Sequence, residues 1–251
     1  MSKIFSIHSF RGGTGKSNTT ANLSTLLAAE GLRVGVVDTD IQSPGIHVLF
    51  GLEPHEMHHT LNDYLWGKCE IAEAAHDMSS RLGMAISGEI VLIPSSMDVG
   101  DIARVLREGY DVGVLNDGFN QLIEDCALDV LMIDTHPGLN EETLLSIAIS
   151  DVLILIMRPD QQDIQGTAVT IDVARKLNVP DLLLLVNKTP EAYDFDQIKR
   201  DMENAYNCDV AAILPHSDEM MVLGGKGIFS LHFPEHPVTV KLKQVAARLM
   251  K

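Results

Sequence analysis

Runs of consecutive apolar residues alternate with stretches whose apolar positions recur at helical spacing, almost from end to end of the chain. The runs predict strands over residues 3–9, 33–38, 89–94, 130–134, 152–157, 182–186 and 210–214. Most are apolar at successive positions, as expected for strands covered on both faces. The amphipathic stretches predict helices over residues 16–30, 98–107, 140–148, 165–177, 195–206 and 237–250. Such alternation specifies an α/β fold with a doubly wound, mostly parallel sheet flanked by helices. No linker composition or internal repeat marks a boundary, so residues 1–251 are read as a single domain.

In open sheets of this kind ligands bind beyond the carboxyl ends of the strands. The unusual residues gather there. Residues 11–17 follow the first strand, Asp38 and Asp40 close the second, and Asp134-Thr135-His136-Pro137-Gly138 closes the strand at 130–134. Asn187-Lys188 closes another strand, and Pro215 follows the last.

The stretch SFRGGTGKSN, residues 9–18, carries the Gly-Lys-Ser of a phosphate-binding loop. The standard spacing G-x-x-x-x-G-K-[ST] asks for glycine at position 10, where this chain has Phe10. Gly12, Gly13 and Gly15 allow the backbone to bend and turn its N–H groups inward around an anion, with Thr14 between them. The helix opening at Lys16 adds the positive end of its dipole. Lys16 is suited to the β and γ phosphates, Ser17 to Mg²⁺, and Asn18 and Thr19 offer further donors. A dinucleotide fingerprint is the rival, with Gly13, Gly15 and the acid Asp38; its third glycine would fall on Asn18, and it leaves Lys16-Ser17 unexplained.

RGGTGKS resembles the deviant Walker A motif of the ParA/MinD family of ATPases. VGVVDTDIQSPGIHVLFG resembles that family's first switch, LMIDTHPGLN its Walker B and second switch, and LLLLVNK and ILPHSDE its adenine pocket, which includes Pro215. The resemblance extends over the whole chain. It implies an ATP-driven homodimer that sandwiches two ATP molecules with Mg²⁺ and separates after hydrolysis. It further implies that Asp40 positions the attacking water, that Asp38 supports the metal's shell, and that Asp134 holds Mg²⁺ through water. The family's signature lysine, which reaches across the dimer to the partner's nucleotide, is Arg11 here. Arginine keeps the charge and grips phosphate oxygens bidentately. The trans role is therefore expected of Arg11, against the plainer reading that it pairs with a surface carboxylate. In Asn187-Lys188-Thr189-Pro190 proline stands where guanine-reading loops carry aspartate, so ATP is expected over GTP, with Asn187 bonding adenine.

The charge balance, 35 acidic against 19 basic residues for a net −16, disfavours non-specific DNA as a partner. Cys69, Cys126 and Cys208 are widely separated, which fits a reducing cytoplasm and argues against iron–sulfur relatives that need paired cysteines. No apolar run approaches a membrane span and no signal-peptide pattern opens the chain, and with residues 237–250 read as the fold's own last helix a membrane partner is not expected. The expected function is a Mg-ATP-hydrolysing switch, slow until stimulated by an activating partner protein or cargo adaptor. The alternatives are a nucleotide-gated sensor with negligible hydrolysis and a metallochaperone ATPase using the histidines. His47, His55, His58 and His59 lie close in sequence without a neighbouring cysteine and are read as part of a partly exposed segment. His136 lies beside the expected γ-phosphate but receives no catalytic role, and Met220-Met221 are read as packing residues.

Overall fold

The computed structural model describes residues 2–82 and 86–251 of the chain. Its strands are β1 (Lys3–His8), β2 (Arg33–Asp38), β3 (His76–Asp77), β4 (Glu89–Ile93), β5 (Val130–Asp134), β6 (Val152–Met157), β7 (Asp181–Thr189) and β8 (Asp209–Pro215). They form one sheet in the order β3-β4-β2-β5-β1-β6-β7-β8, parallel throughout except for the short β3–β4 pairing. The helices are α1 (Lys16–Ala29), α2 (Ile46–Leu49), α3 (Leu61–Leu65), α4 (Val99–Glu108), α5 (Val112–Asp125), α6 (Glu141–Ile149), α7 (Gln161–Lys176), α8 (Phe195–Tyr206), α9 (Asp218–Leu223), α10 (Phe229–His232) and α11 (Pro237–Leu249). This is the doubly wound architecture expected from the apolar pattern.

Strands β5 and β6 are buried at every position, which is why VLMID and VLILIM carry no alternation. Successive residues of β5 enter opposite layers. Val130 and Met132 join Phe5, Leu23, Leu27 and Leu242 on the α1/α11 side. Leu131 and Ile133 join Leu115, Phe119 and Leu122 of α5 on the other. The neighbours of β1 are β5 and β6, which lead to opposite wings of the sheet, so the crevice of the topological switch opens at the carboxyl end of β1.

Helix α5 was absent from the apolar pattern because Gly113, Asn116 and Gly118 interrupt it. Tertiary packing overrides that weak propensity. Asp111 caps the helix by accepting from the Gly113 N–H, and a Cβ on Gly118 would lie 2.5 Å from the Tyr64 ring. Helix α7 starts four residues before the expected Gln165, because Asp160 accepts from the Gln162 and Asp163 N–H groups. Strand β7 continues past Val186 to Thr189, carrying Asn187 and Lys188 into the site. Among the described residues no helix is long and apolar enough to cross a membrane.

Candidate functional site

The loop between β1 and α1 is held by its carbonyls. The Ser9 oxygen accepts from the Gly138 N–H (3.2 Å), the Arg11 oxygen from the Ser9 hydroxyl (2.7 Å), the Gly13 oxygen from Lys188 Nζ (2.7 Å) and the Thr14 oxygen from Asn187 Nδ2 (2.8 Å). With these acceptors engaged within the loop and by flanking elements, the loop's amides remain to face an anion. Gly13 and Gly15 have φ of 78° and 105°, values that exact a strain from side-chain-bearing residues. Gly15 is also the N-cap of α1 and supplies no side-chain cap, and the first turn contains no acid. The amino end of α1 is thus uncapped, beside the buried Lys16 and Thr14.

Phe10 occupies the position where the standard loop has glycine, and the reason lies in α7. A Cβ on Gly166 would lie 2.1 Å from the Phe10 ring, so the ring rests on bare helix backbone and tethers the loop to α7. Gly166→Leu is expected to push Phe10 off this seat at a cost of about 1–3 kcal/mol. Titration with a fluorescent ATP analogue should show weaker binding by about tenfold or more if the tether sets the loop's geometry; unchanged affinity would mean that the tether is dispensable.

Asp38 and Asp134 are paired across β2 and β5 and are almost wholly buried. Asp38 accepts from the Asp40 N–H (3.0 Å) and the Gly45 N–H (3.2 Å). Burial and then the neighbouring Asp134 and Asp40 charges hold its carboxyl well above the ordinary carboxylate range. Asp134 Oδ1 accepts from the Thr20 hydroxyl at 3.2 Å, and Ser17 lies beside this carboxylate. Burial pushes Asp134 up to about 6 although Lys16, Ser17 and Thr20 pull the other way. Its Oδ2 is buried without a partner. A buried, unpartnered carboxylate oxygen beside a serine hydroxyl is a hard-oxygen donor set that fits Mg²⁺ and its waters.

Asp40 lies in the loop after β2, and its Oδ1 receives a 2.6 Å hydrogen bond from His136 Nδ1. That bond raises the His136 imidazole above its ordinary value, burial notwithstanding. Beneath the site His8 is fully buried with Nδ1 2.8 Å from the Thr135 hydroxyl, and burial followed by the Lys16 charge lowers it to about 3. His8 is therefore a neutral wall of the site. Sequence reading left His136 without a role, because its proximity to Asp40 spans two loops.

Arg11 lies against its own chain. Its Nη1 is 3.3 Å from Asp163 Oδ1 and 3.8 Å from Asp160 Oδ1. Asp163 is almost fully buried and takes three bonds from Arg158, through the backbone N–H (2.9 Å), Nε (3.0 Å) and Nη2 (3.2 Å). Arg11 thus pairs with a carboxylate of its own chain, and with a buried one where the plainer expectation was a surface carboxylate. Neither Arg158 nor Asp163 was singled out from the sequence, since no motif marks them.

A cleft of about 550 Å³ lies beside the loop, lined by Lys188, Pro190, Pro215, His216, Glu219 and His236 among others. Pro215 is in its wall. Asn187 does not line this cleft. Its Nδ2 donates to Thr14 O and its Oδ1 accepts from the Lys188 N–H, so its carboxamide braces the phosphate loop. The Asn18 carbonyl accepts from Asn22 Nδ2 (2.7 Å) within α1, which leaves its own donors unaffected. Of the histidines in the 47–59 segment, His47 is buried and His58 stacks on His76. Among the described residues no group of three or more His, Cys, Asp and Glu side chains is arranged to hold a metal ion.

Residues 2–181 match the family model AAA_31, an AAA domain. The chain is 26% identical over 251 residues to an uncharacterized ATP-binding protein of Methanocaldococcus jannaschii, covering 100% of this chain and 88% of that protein. It is 29% identical over 189 residues to the flagellum site-determining protein YlxH of Helicobacter pylori, covering 74% and 58% of the two chains. The septum site-determining protein MinD of Pyrococcus horikoshii, solved as a complex with Mg-ADP, superposes with a TM-score of 0.80. That match covers 100% of this chain and 97% of the other at 21% identity, a likeness of fold.

Proposed function

This chain belongs to the AAA-domain family of P-loop ATPases of the ParA/MinD type, and from that premise we propose that it is a Mg-ATP-dependent dimerising switch. In this reading it hydrolyses ATP slowly, works in the cytoplasm, and positions a cargo or regulates a partner protein that stimulates turnover. The observation that carries the reading is the phosphate loop, whose Gly13 and Thr14 carbonyls are engaged by Lys188 and Asn187 while the amino end of α1 beside Lys16 is left uncapped. The relatives agree with it, one being an ATP-binding protein, one a site-determining protein and one a structure that holds Mg-ADP.

The amides of residues 12–17 and Lys16 hold the phosphates in this scheme. Ser17, Asp134 and Asp38 would hold Mg²⁺ and its shell. Mg²⁺ supplies charge neutralisation on the transferring phosphoryl group. Asp40 orients the attacking water. Arg11 leaves Asp163, which Arg158 keeps saturated, and extends toward the nucleotide of a second copy. Pro215 and Pro190 flank the base.

Light scattering on Asp40→Ala, with Mg-ATP and with Mg-ADP, tests the switch. A monomer in ADP and a dimer in ATP are expected, and adding Arg11→Ala should keep the chain monomeric in both. An unchanged mass would oppose the dimer and favour the sensor reading, for which the engaged state of Arg11 is the supporting observation. Asp40→Ala should bind ATP normally and lose turnover by about 10²-fold or more.

A further inference from the structure

We infer that His136 is a positioning residue for Asp40 and that the two side chains orient the attacking water as one unit; this rests on the hydrolytic reading above. Asp40 lies at the start of the loop after β2, a segment without regular structure until α2. Its neighbours repel it. The buried Asp38 and Asp134 carboxylates both feel the Asp40 charge, and on its own loop the side chain is restrained only by the Ser43 N–H, which donates to Oδ1 at 3.2 Å. The one side-chain donor that meets it among the described residues is His136, at 2.6 Å.

His136 is the fixed member of the pair. Before it, the Thr135 N–H and hydroxyl both donate to Ile7 O, at 3.3 and 3.0 Å. After it, the Gly138 N–H donates to Ser9 O at 3.2 Å, and the Thr143 hydroxyl reaches His136 O at 3.4 Å. The backbone carrying the imidazole is therefore tied to β1, to the phosphate loop and to α6. An anchored ring donating to a carboxylate on an irregular loop restricts that carboxylate's rotation. It engages Oδ1, while Oδ2 bonds nothing among the described residues and remains to accept from water. Nδ1–H donates to Asp40 whether or not Nε2 carries a proton, so the arrangement holds in either state. Around the ring stand Asp40, Glu142, Lys16 and His8. Supports of this kind, acting on a functional side chain from behind, typically carry about 10–100-fold of activity.

Single-turnover ATP hydrolysis, with enzyme in excess, is to be measured for the wild type and for His136→Ala, His136→Asn, His136→Gln, Asp40→Ala and the Asp40→Ala/His136→Ala pair. A fluorescent ATP analogue and a thermal melt accompany each. His136→Ala should turn over about tenfold or more slowly with unchanged nucleotide affinity. His136→Asn should recover most of the rate, because its Nδ2 takes the place of imidazole Nδ1, whereas His136→Gln should not. The double variant should be no slower than Asp40→Ala, since the histidine acts through the aspartate.

Wild-type rate in His136→Ala beside an inactive Asp40→Ala overturns the inference and leaves the hydrolytic reading standing. A faster His136→Ala also overturns it, since the histidine would then restrain the aspartate. Failure of His136→Asn to recover a folded, nucleotide-binding protein's rate refutes the Nδ1 contact as the cause. A wild type no faster than Asp40→Ala sinks the hydrolytic reading itself.

Discussion

Lys16→Ala is expected to weaken ATP binding by about hundredfold or more, the loss of on the order of 3 kcal/mol that follows truncating one side of a desolvated charge contact. Lys16 is buried at the uncapped start of α1, so its ammonium is aimed with little freedom to relax into water. The same substitution acts on the protein without nucleotide. Lys16 is the positive charge that draws Asp134 down, and removing it leaves Asp38 and Asp134 facing each other uncompensated. Lys16→Ala should therefore also lower the thermal midpoint of the nucleotide-free protein. Isothermal titration and a melt read the two effects. Full ATP affinity in the variant would show that the loop amides alone hold the phosphates.

Asp134→Asn is expected to move stability and function in opposite directions. The folded protein holds the Asp134 carboxyl near 6 against an ordinary 3.8. Between those values the folded state binds more protons than the unfolded one, so this group makes stability fall as pH rises from about 4 to about 6. Above that window the ionised group costs the fold on the order of 3 kcal/mol, which asparagine does not. The amide nitrogen would replace Oδ2, which has no partner to lose, while Oδ1 keeps Thr20. At pH 7.5 without Mg²⁺ or nucleotide, the variant should melt several degrees above the wild type, and the gain should shrink to nothing below pH 4. Mg²⁺-dependent nucleotide binding should be lost. His8 contributes the opposite slope, since its folded value near 3 lies below the ordinary 6.5; it is common to both proteins and cancels in their difference. A variant no more stable than the wild type would show that the paired carboxylates are not under strain. Conflict between a polar site and the fold that carries it is a frequent cost of function.

The parts of this protein that its sequence determined are those set by neighbours along the chain. Gly13-x-Gly15-Lys16-Ser17 specifies its own bend, because positive φ and an uncapped helix start are local requirements. Apolar runs such as VLILIM specify buried strands by themselves, and strand direction then places Asp38, Asp134 and Pro215 on one edge of the sheet. The tertiary structure decided everything that joins distant segments. Arg11 meets Asp163 across 152 positions, Asp40 meets His136 across 96, and Asn187 meets Thr14 across 173. No periodicity records such pairs. Phe10 reads as a departure from a glycine pattern until Gly166 of α7 is seen beneath its ring. That the Asn187 carboxamide also bridges the phosphate loop and its own backbone is visible only in the folded chain. Local sequence acts through backbone torsion and side-chain burial, whereas the direction of a long polar side chain is settled only by which partners the finished sheet brings within about 3 Å of it.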